Sequence, residues 1–178
     1  MSSNKMKNKL TVWERAEMAA KLSAIAYMDE ESANNACKRL GFAHGKIISR
    51  NGAEVLVATE KNDLWIAFRG TEPNKLNDVM ADLKVIKNSA IAGGKVHGGF
   101  QEEVDEVWLD IVKLLDKNSQ LKESRDVYFT GHSLGAAMAT IASTRYSPTE
   151  LFTFGSPRVG GTRFIKNIKC DHYRFMNN

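Results

Sequence analysis

The first apolar positions of the chain are spaced as on a helix. They recur at intervals close to one helical turn, at Trp13, Ala16, Ala20, Ile25 and Tyr27. Thr11 and Glu14 form a capping box at the start of this helix, in which each side chain binds the other residue's free backbone N–H group. A second short helix is predicted over residues 32–40, with Ser32 as the N-cap and Gly41 as the C-terminal stop.

From Lys46 onward the period of the apolar positions changes to two, which is typical of strands. The apolar runs at residues 47–48 and 55–57 lie on either side of the dipeptide Asn51-Gly52. This dipeptide favours a type I′ turn, because both of its residues tolerate a positive φ. The pattern therefore predicts a β-hairpin.

Beyond residue 63, continuous apolar runs of strand length alternate with helical patterns. Strands are predicted at residues 64–68, 83–86, 126–130, 151–154 and 172–176, and helices at residues 100–117 and 136–143 with a helical turn at 161–167. Residues 73–82 between them are polar and are predicted to form a loop. This alternation predicts an α/β fold, in which helices cover a mostly parallel sheet. The length, 178 residues, predicts a single domain over residues 1–178.

Composition excludes several classes of protein. The net charge of +4 is small and the lysines are scattered, so no nucleic-acid partner is predicted. No apolar run reaches the roughly 18 residues of a membrane-spanning helix. The basic N-terminus lacks the apolar core of a signal peptide, which favours a cytoplasmic protein. Cys37 and Cys170 lack metal-ligand spacing and are too few for a disulfide scaffold, so neither a metal nor a cofactor is predicted.

One pentapeptide carries a chemical signature, because Gly131-His132-Ser133-Leu134-Gly135 lies between a predicted strand and a predicted helix. A strand that turns sharply into a helix needs glycine where a side chain would clash, and the serine then projects above the sheet. The N–H group of Leu134 is left free to stabilise an oxyanion. Ser133 is therefore the candidate nucleophile. The alternative, a glycine-rich turn that merely contains a serine, stays open.

Three further stretches accompany this motif in chain order, namely Phe68-Arg69-Gly70-Thr71-Glu72, Val96-His97-Gly98-Gly99-Phe100 and Thr153-Phe154-Gly155-Ser156-Pro157-Arg158-Val159-Gly160. Together the four stretches resemble the class 3 (fungal-type) lipases of the α/β-hydrolase superfamily. The resemblance implies a central, mostly parallel sheet with flanking helices and Ser133 as nucleophile. It also implies Thr71 and Leu134 as oxyanion-hole donors and a mobile lid within residues 73–82. The apolar lid candidates are Leu76, Val79 and Met80.

Three histidines have non-catalytic interpretations. The resemblance implies a structural role for His97. His132 is expected to point away from the elbow and into the core, and His44 to lie in an exposed loop without a role.

The acid and the base of a serine triad are not found in the chain. The candidates after Ser133 are Glu150, Asp171 and His172. If the last strand is parallel to the strand before Ser133, Asp171 and His172 begin that strand and lie about 20 Å from Ser133. The resemblance implies that the acid follows this strand and the base comes later. The chain is therefore predicted to be C-terminally truncated before both, and the alternative, a degenerate member of the family, stays open.

The leading hypothesis is a serine ester hydrolase that acts on an acylglycerol or a related lipid ester through an acyl-enzyme intermediate. A lipid or small ester is then the substrate, with transient contact to a lipid interface. The alternative is a catalytically incomplete module that keeps the lipase fold to bind lipid or protein. A third hypothesis is a hydrolase completed by another chain. Without a base, this chain is predicted to be a poor catalyst.

Overall fold

The computed structural model describes residues 10–70 and 87–176. The helices are α1 (Val12–Ile25), α2 (Glu30–Arg39), α3 (Gly98–Ser119), α4 (Leu134–Arg145) and α5 (Thr162–Ile165). The strands are β1 (His44–Arg50), β2 (Ala53–Thr59), β3 (Asp63–Phe68), β4 (Lys87–Ser89), β5 (Lys95–His97), β6 (Asp126–His132), β7 (Glu150–Phe154) and β8 (Asp171–Phe175). The strand predicted at residues 83–86 lies outside the described residues.

Six strands form the central sheet in the order β1-β2-β3-β6-β7-β8. The strands β1, β2 and β3 are antiparallel, and β3, β6, β7 and β8 are parallel. The predicted hairpin is confirmed at the β1–β2 turn, where Asn51 and Gly52 have φ of 47° and 90°. The short strands β4 and β5 form a separate antiparallel pair. The predicted α/β fold with a mostly parallel sheet and flanking helices is thus confirmed.

Each face of the sheet is covered by helices, because successive side chains of a strand point to opposite faces. In β3, Trp65 packs in the core formed with α1 and α2, and Ile66 packs in the core formed with α3 and α4. Apolar side chains of α3 and α4, including Val107 and Met138, fill the second core. Strands buried on both faces account for the continuous apolar runs in the sequence.

The N-terminal helices differ in detail from the prediction. The capping box of Thr11 and Glu14 is confirmed by reciprocal hydrogen bonds of 2.6 and 3.3 Å. The predicted N-cap Ser32 is wrong, because Asp29 caps α2 and accepts a hydrogen bond from the Ser32 N–H group at 2.9 Å. Asp29 rather than Ser32 is the N-cap, because the Asp29 backbone is extended, as an N-cap requires.

The predicted buried face of α1 is partly wrong. Trp13 is 73% exposed, and Ala20 is exposed as well. The helix instead buries five residues, namely Ala16, Ala19, Leu22, Ser23 and Ile25. Alanine at 16, 19 and 20 makes the apolar stripe ambiguous in the sequence, and contact with the sheet decides it.

Both cysteines are free thiols. Cys37 is buried, and burial raises its pKa to about 11, which keeps the thiol protonated at neutral pH. Among the described residues, no helix is long and apolar enough to cross a membrane.

Candidate functional site

Ser133 occupies the sharp turn between β6, which ends at His132, and α4, which begins at Leu134. Its backbone has φ 57° and ψ −122°, a conformation that L-residues rarely adopt. Such strain persists only where the surrounding structure enforces it, and it concentrates at functional sites. A serine in this conformation at the end of a central parallel strand is the geometry of a nucleophile elbow.

The glycines on either side of Ser133 are required by close packing of backbones. A Cβ atom on Gly131 would lie 2.3 Å from the carbonyl oxygen of Gly135, and one on Gly135 would lie 2.1 Å from the carbonyl oxygen of Phe68. Real Cβ atoms essentially never approach another atom that closely. The helix α4 can therefore dock against β3 and β6 only with glycine at both positions.

The elbow is anchored to the neighbouring strand and presents backbone donors. The Ser133 N–H group donates to the carbonyl oxygen of Phe154, at the end of β7, at 2.9 Å. Leu134 is the first residue of α4, and the first N–H groups of a helix have no acceptor within the helix. The positive end of the dipole of α4 lies at the same place and adds to the positive potential of these N–H groups. The arrangement can stabilise negative charge beside the Ser133 hydroxyl.

The segment before Thr71 also reaches the elbow. A Cβ atom on Gly70 would lie 2.8 Å from the carbonyl oxygen of His132 and 3.1 Å from the Gly135 nitrogen, so only glycine fits there. Thr71 is covalently the next residue. It lies outside the described residues, as do the lid candidates Leu76, Val79 and Met80 and the whole predicted lid at residues 73–82.

The expectation that His132 points into the core is wrong, because the residue is exposed. Its Nδ1 atom lies 3.2 Å from the hydroxyl of Tyr27, and the two rings meet edge to face. Tyr27 follows α1 and also lies under the Arg69 guanidinium, 5.8 Å from the ring centroid. Sequence reasoning assigned Tyr27 only to a helix face. Its hydrogen bond with His132, 105 positions away, corresponds to no short-range pattern in the sequence.

Arg69 has a structural role at the end of β3. Its guanidinium forms a salt bridge with the Glu54 carboxylate of β2. His97 is half-buried, and its ring packs against Phe100 with the centroids 4.4 Å apart. His97 is thus held by packing, while His44 lies exposed in β1 rather than in a loop.

Asp171 and His172 begin β8, at the end of the sheet opposite to Ser133. The register aligns Asp171 with Glu150 and, one strand further, with Tyr128, whereas Phe175 aligns with Phe154 and His132. His172 instead bonds to the Thr153 hydroxyl at 2.8 Å. Burial and the nearby charge of Arg174 lower its pKa. The expectation that neither residue reaches Ser133 agrees with this register.

Glu150, the remaining candidate acid after Ser133, forms an ion pair with Arg15. It is 7% exposed and forms two hydrogen bonds of 2.6 Å with the guanidinium of Arg15. This pair ties α1 to the start of β7. Within residues 10–70 and 87–176, no group of three His, Cys, Asp or Glu side chains could hold a metal ion.

Comparison with known proteins gives several lipases among the matches. A family model described as Lipase (class 3) matches residues 65–178. The lipase of Rhizopus niveus is 30% identical over 141 residues, which cover 73% of this chain and 36% of that protein. The native propeptide complex of Rhizomucor miehei lipase superposes with a TM-score of 0.72 at 26% identity, over 93% of this chain and 61% of that one.

A third match bears on chemistry. It is a triacylglycerol lipase whose catalytic centre is described as a serine protease triad, with a TM-score of 0.72, 26% identity and coverage of 93% of this chain and 71% of that one. The chain spans about a third of the length of the curated relative from Rhizopus niveus.

Proposed function

The chain belongs to the class 3 lipase family, and on that premise we propose that it carries the nucleophile and oxyanion hole of a serine ester hydrolase acting on lipid esters. One observation carries the proposal. Ser133 is held with a positive φ at the end of a central strand, between two glycines whose positions admit no side chain. Backbone strain of this kind clusters at functional sites, and it therefore supports a chemical role for Ser133.

In the proposed reaction the Ser133 Oγ atom attacks the ester carbonyl carbon while its proton passes to a histidine base, which later gives the proton to the leaving alcohol. The carbonyl oxygen becomes an oxyanion, which accepts hydrogen bonds from the Leu134 N–H group and from Thr71. Collapse of this intermediate expels the alcohol and leaves an acyl-Ser133 ester, which water then hydrolyses. Thr71 is proposed because Gly70 packs against the elbow, and the chain continues from that point.

The base and the acid are proposed to come from outside these 178 residues. The chain has four histidines, of which His44 begins the edge strand β1, His172 begins β8 at the far end of the sheet and His97 is packed on Phe100. His132 bonds to Tyr27. The matched triacylglycerol lipase uses a serine protease triad, so the same chemistry is proposed here. Loss of the histidine costs about 10⁶-fold in kcat in a serine hydrolase, so slow turnover by these residues alone is expected.

A lipid carboxylic ester is the proposed substrate class. The support is the family and the substrate of the matched triacylglycerol lipase. The lid proposed over residues 73–82 would present Leu76, Val79 and Met80 to such a substrate. Acyl groups are apolar, so this contact would favour opening at a lipid surface.

Covalent labelling tests the nucleophile without requiring turnover. A fluorophosphonate probe followed by mass mapping is expected to modify Ser133 slowly, because the oxyanion hole assists the attack while the histidine base that would take the hydroxyl proton is not among the described residues near Ser133. Ser133→Ala is expected to abolish the label. Ser156→Ala is the matched control, since Ser156 is also buried, at 6% exposure, just after β7, but lies outside the elbow. Absence of labelling even after prolonged incubation with excess probe, on protein with native circular dichroism, would favour the non-catalytic module.

A further inference from the structure

One further surface differs in charge from the rest of the chain. The segments 87–101 and 155–170 contain no acidic residue and six basic ones, namely Lys87, Lys95, Arg158, Arg163, Lys166 and Lys169. The whole sequence has 25 basic and 21 acidic residues, so the two signs are nearly balanced elsewhere. We call the exposed side chains of Lys95, Arg163 and Lys166, together with Ile91 and Ile165, the basic patch.

The two segments pack into one platform. The Gly161 N–H group donates to the Lys95 carbonyl oxygen at 3.1 Å, and the Asn167 amide donates to the Gly93 carbonyl oxygen at 3.1 Å. A Cβ atom on Gly94 would lie 2.6 Å from the Phe164 nitrogen, so the β4–β5 turn rests directly on α5. The positions of the basic side chains are therefore fixed relative to each other.

The basic patch also exposes apolar surface. Ile91, in the turn after β4, is 73% exposed, and Ile165, the last residue of α5, is 44% exposed. Between the turn and α5 lies a cavity of about 600 Å³, whose polar lining includes Ser89, Lys95 and Arg163. Isoleucine tips beside cationic side chains are the composition of a surface that rests on lipid headgroups, with the apolar tips inserted below them.

A short segment of the chain connects the elbow to the platform that carries the basic patch. The carbonyl oxygen of Phe154, at the end of β7, accepts from the Ser133 N–H group, and six residues later Gly160 pairs with Val96 of β5. A six-residue segment spans at most about 22 Å. The platform that carries the basic patch therefore lies within about 22 Å of the Phe154 carbonyl oxygen that anchors the elbow.

We propose that the basic patch docks this chain onto an anionic phospholipid surface. Lys95, Arg163 and Lys166 attract the negatively charged headgroups, the cavity between the β4–β5 turn and α5 receives a headgroup phosphate, and Ile91 and Ile165 enter the interface. The proposal goes beyond ester hydrolysis and does not rest on it, because docking needs neither Ser133 nor a triad. It is also separate from the lid, since residues 73–82 take no part.

Vesicle sedimentation tests the docking. The chain is mixed with vesicles of phosphatidylcholine alone or with about 30% phosphatidylglycerol, a composition of about one anionic lipid in three. We expect binding to the anionic vesicles only, with a loss at high salt because the Debye length falls from about 8 Å at 0.15 M to about 3 Å at 1 M. The triple variant K95Q/R163Q/K166Q is expected to bind about 100-fold more weakly.

A matched variant separates the patch from the overall charge. Lys46, Lys61 and Lys122 are exposed. Lys61 and Lys122 precede β3 and β6, at the opposite end of the sheet from Ser133, and Lys46 of β1 pairs with Val57. K46Q/K61Q/K122Q removes the same charge and is expected to retain binding within about twofold, because none of the three lysines lines the cavity or belongs to the two segments of the platform. The double variant I91S/I165S is expected to weaken binding at every salt concentration, because its loss is of apolar contact.

Each remaining outcome overturns the proposal. Equal loss in the two charge variants would mean that net charge alone acts, and equal binding to neutral vesicles would mean that anionic lipid is not recognised. Binding of inorganic phosphate at millimolar concentration, without any vesicle binding, would assign the cavity to a free phosphate. Circular dichroism verifies the fold of every variant. Fluorophosphonate labelling of Ser133 in parallel keeps the two proposals distinct, because docking can fail while labelling persists, and the reverse.

Discussion

Replacement of Gly135 by alanine tests whether close packing of backbones positions the nucleophile. The new Cβ atom would lie 2.1 Å from the carbonyl oxygen of Phe68 and 2.9 Å from the carbonyl carbon of Arg69. Both neighbours are backbone atoms of the β3 end, so no side-chain rotation relieves the clash. To restore even a 3.0 Å contact, α4 and β3 must separate by about 0.9 Å at this point.

That separation has two measurable consequences. Overpacking a close-packed interior costs about 1–3 kcal/mol, so with a urea m-value of about 2 kcal/mol/M the unfolding midpoint is expected to fall by about 0.5–1.5 M. The elbow begins α4, so Ser133 moves with the helix. A displacement of about 1 Å can lower the rate of a positioned reaction by about 100-fold.

The assay combines urea unfolding, followed by tryptophan fluorescence, with the rate of fluorophosphonate labelling. Gly161→Ala is the matched control, because Gly161 has φ −83° and nothing lies within 4 Å of the point that an alanine Cβ atom would occupy. It is expected to change the midpoint by at most about 0.5 M and not to lower it as Gly135→Ala does, since alanine adopts this conformation without strain. If Gly135→Ala unfolds and labels as the wild type does, the packing argument for the elbow is wrong.

Two further predictions concern charged groups away from the elbow. Arg15→Met is expected to cost about 3 kcal/mol in urea unfolding, because it leaves the buried Glu150 carboxylate unpaired, and adding Glu150→Gln should recover most of the loss. His172 has a folded-state pKa below its ordinary 6.5, so it favours the folded state when neutral, and stability is expected to fall as pH drops below about 6.5. His172→Gln should reduce that dependence while exposed His44→Gln leaves it unchanged, and an unaltered profile in His172→Gln would contradict this assignment.

Local signals made much of the fold and of the elbow predictable. The capping box of Thr11 and Glu14 and the Asn51-Gly52 turn depend on residues at most four positions apart, so the sequence displays each pattern directly. The Gly-X-Ser-X-Gly elbow is equally local, since strand, turn and helix follow one another without interruption. Continuous apolar runs such as residues 64–68 likewise indicate strands that are buried on both faces.

Tertiary packing decided what local patterns left open. The sequence places alanines around α1, and only the aromatic surface of the sheet selects Ala19 and Leu22 for burial and leaves Trp13 exposed. His132 lies outside because Tyr27, 105 residues away, supplies a hydrogen bond there. The free energy of such contacts depends on distant residues that meet only after folding. The sequence alone therefore determined the elements and the elbow, whereas the structure determined which helix face is buried and which side chains surround Ser133.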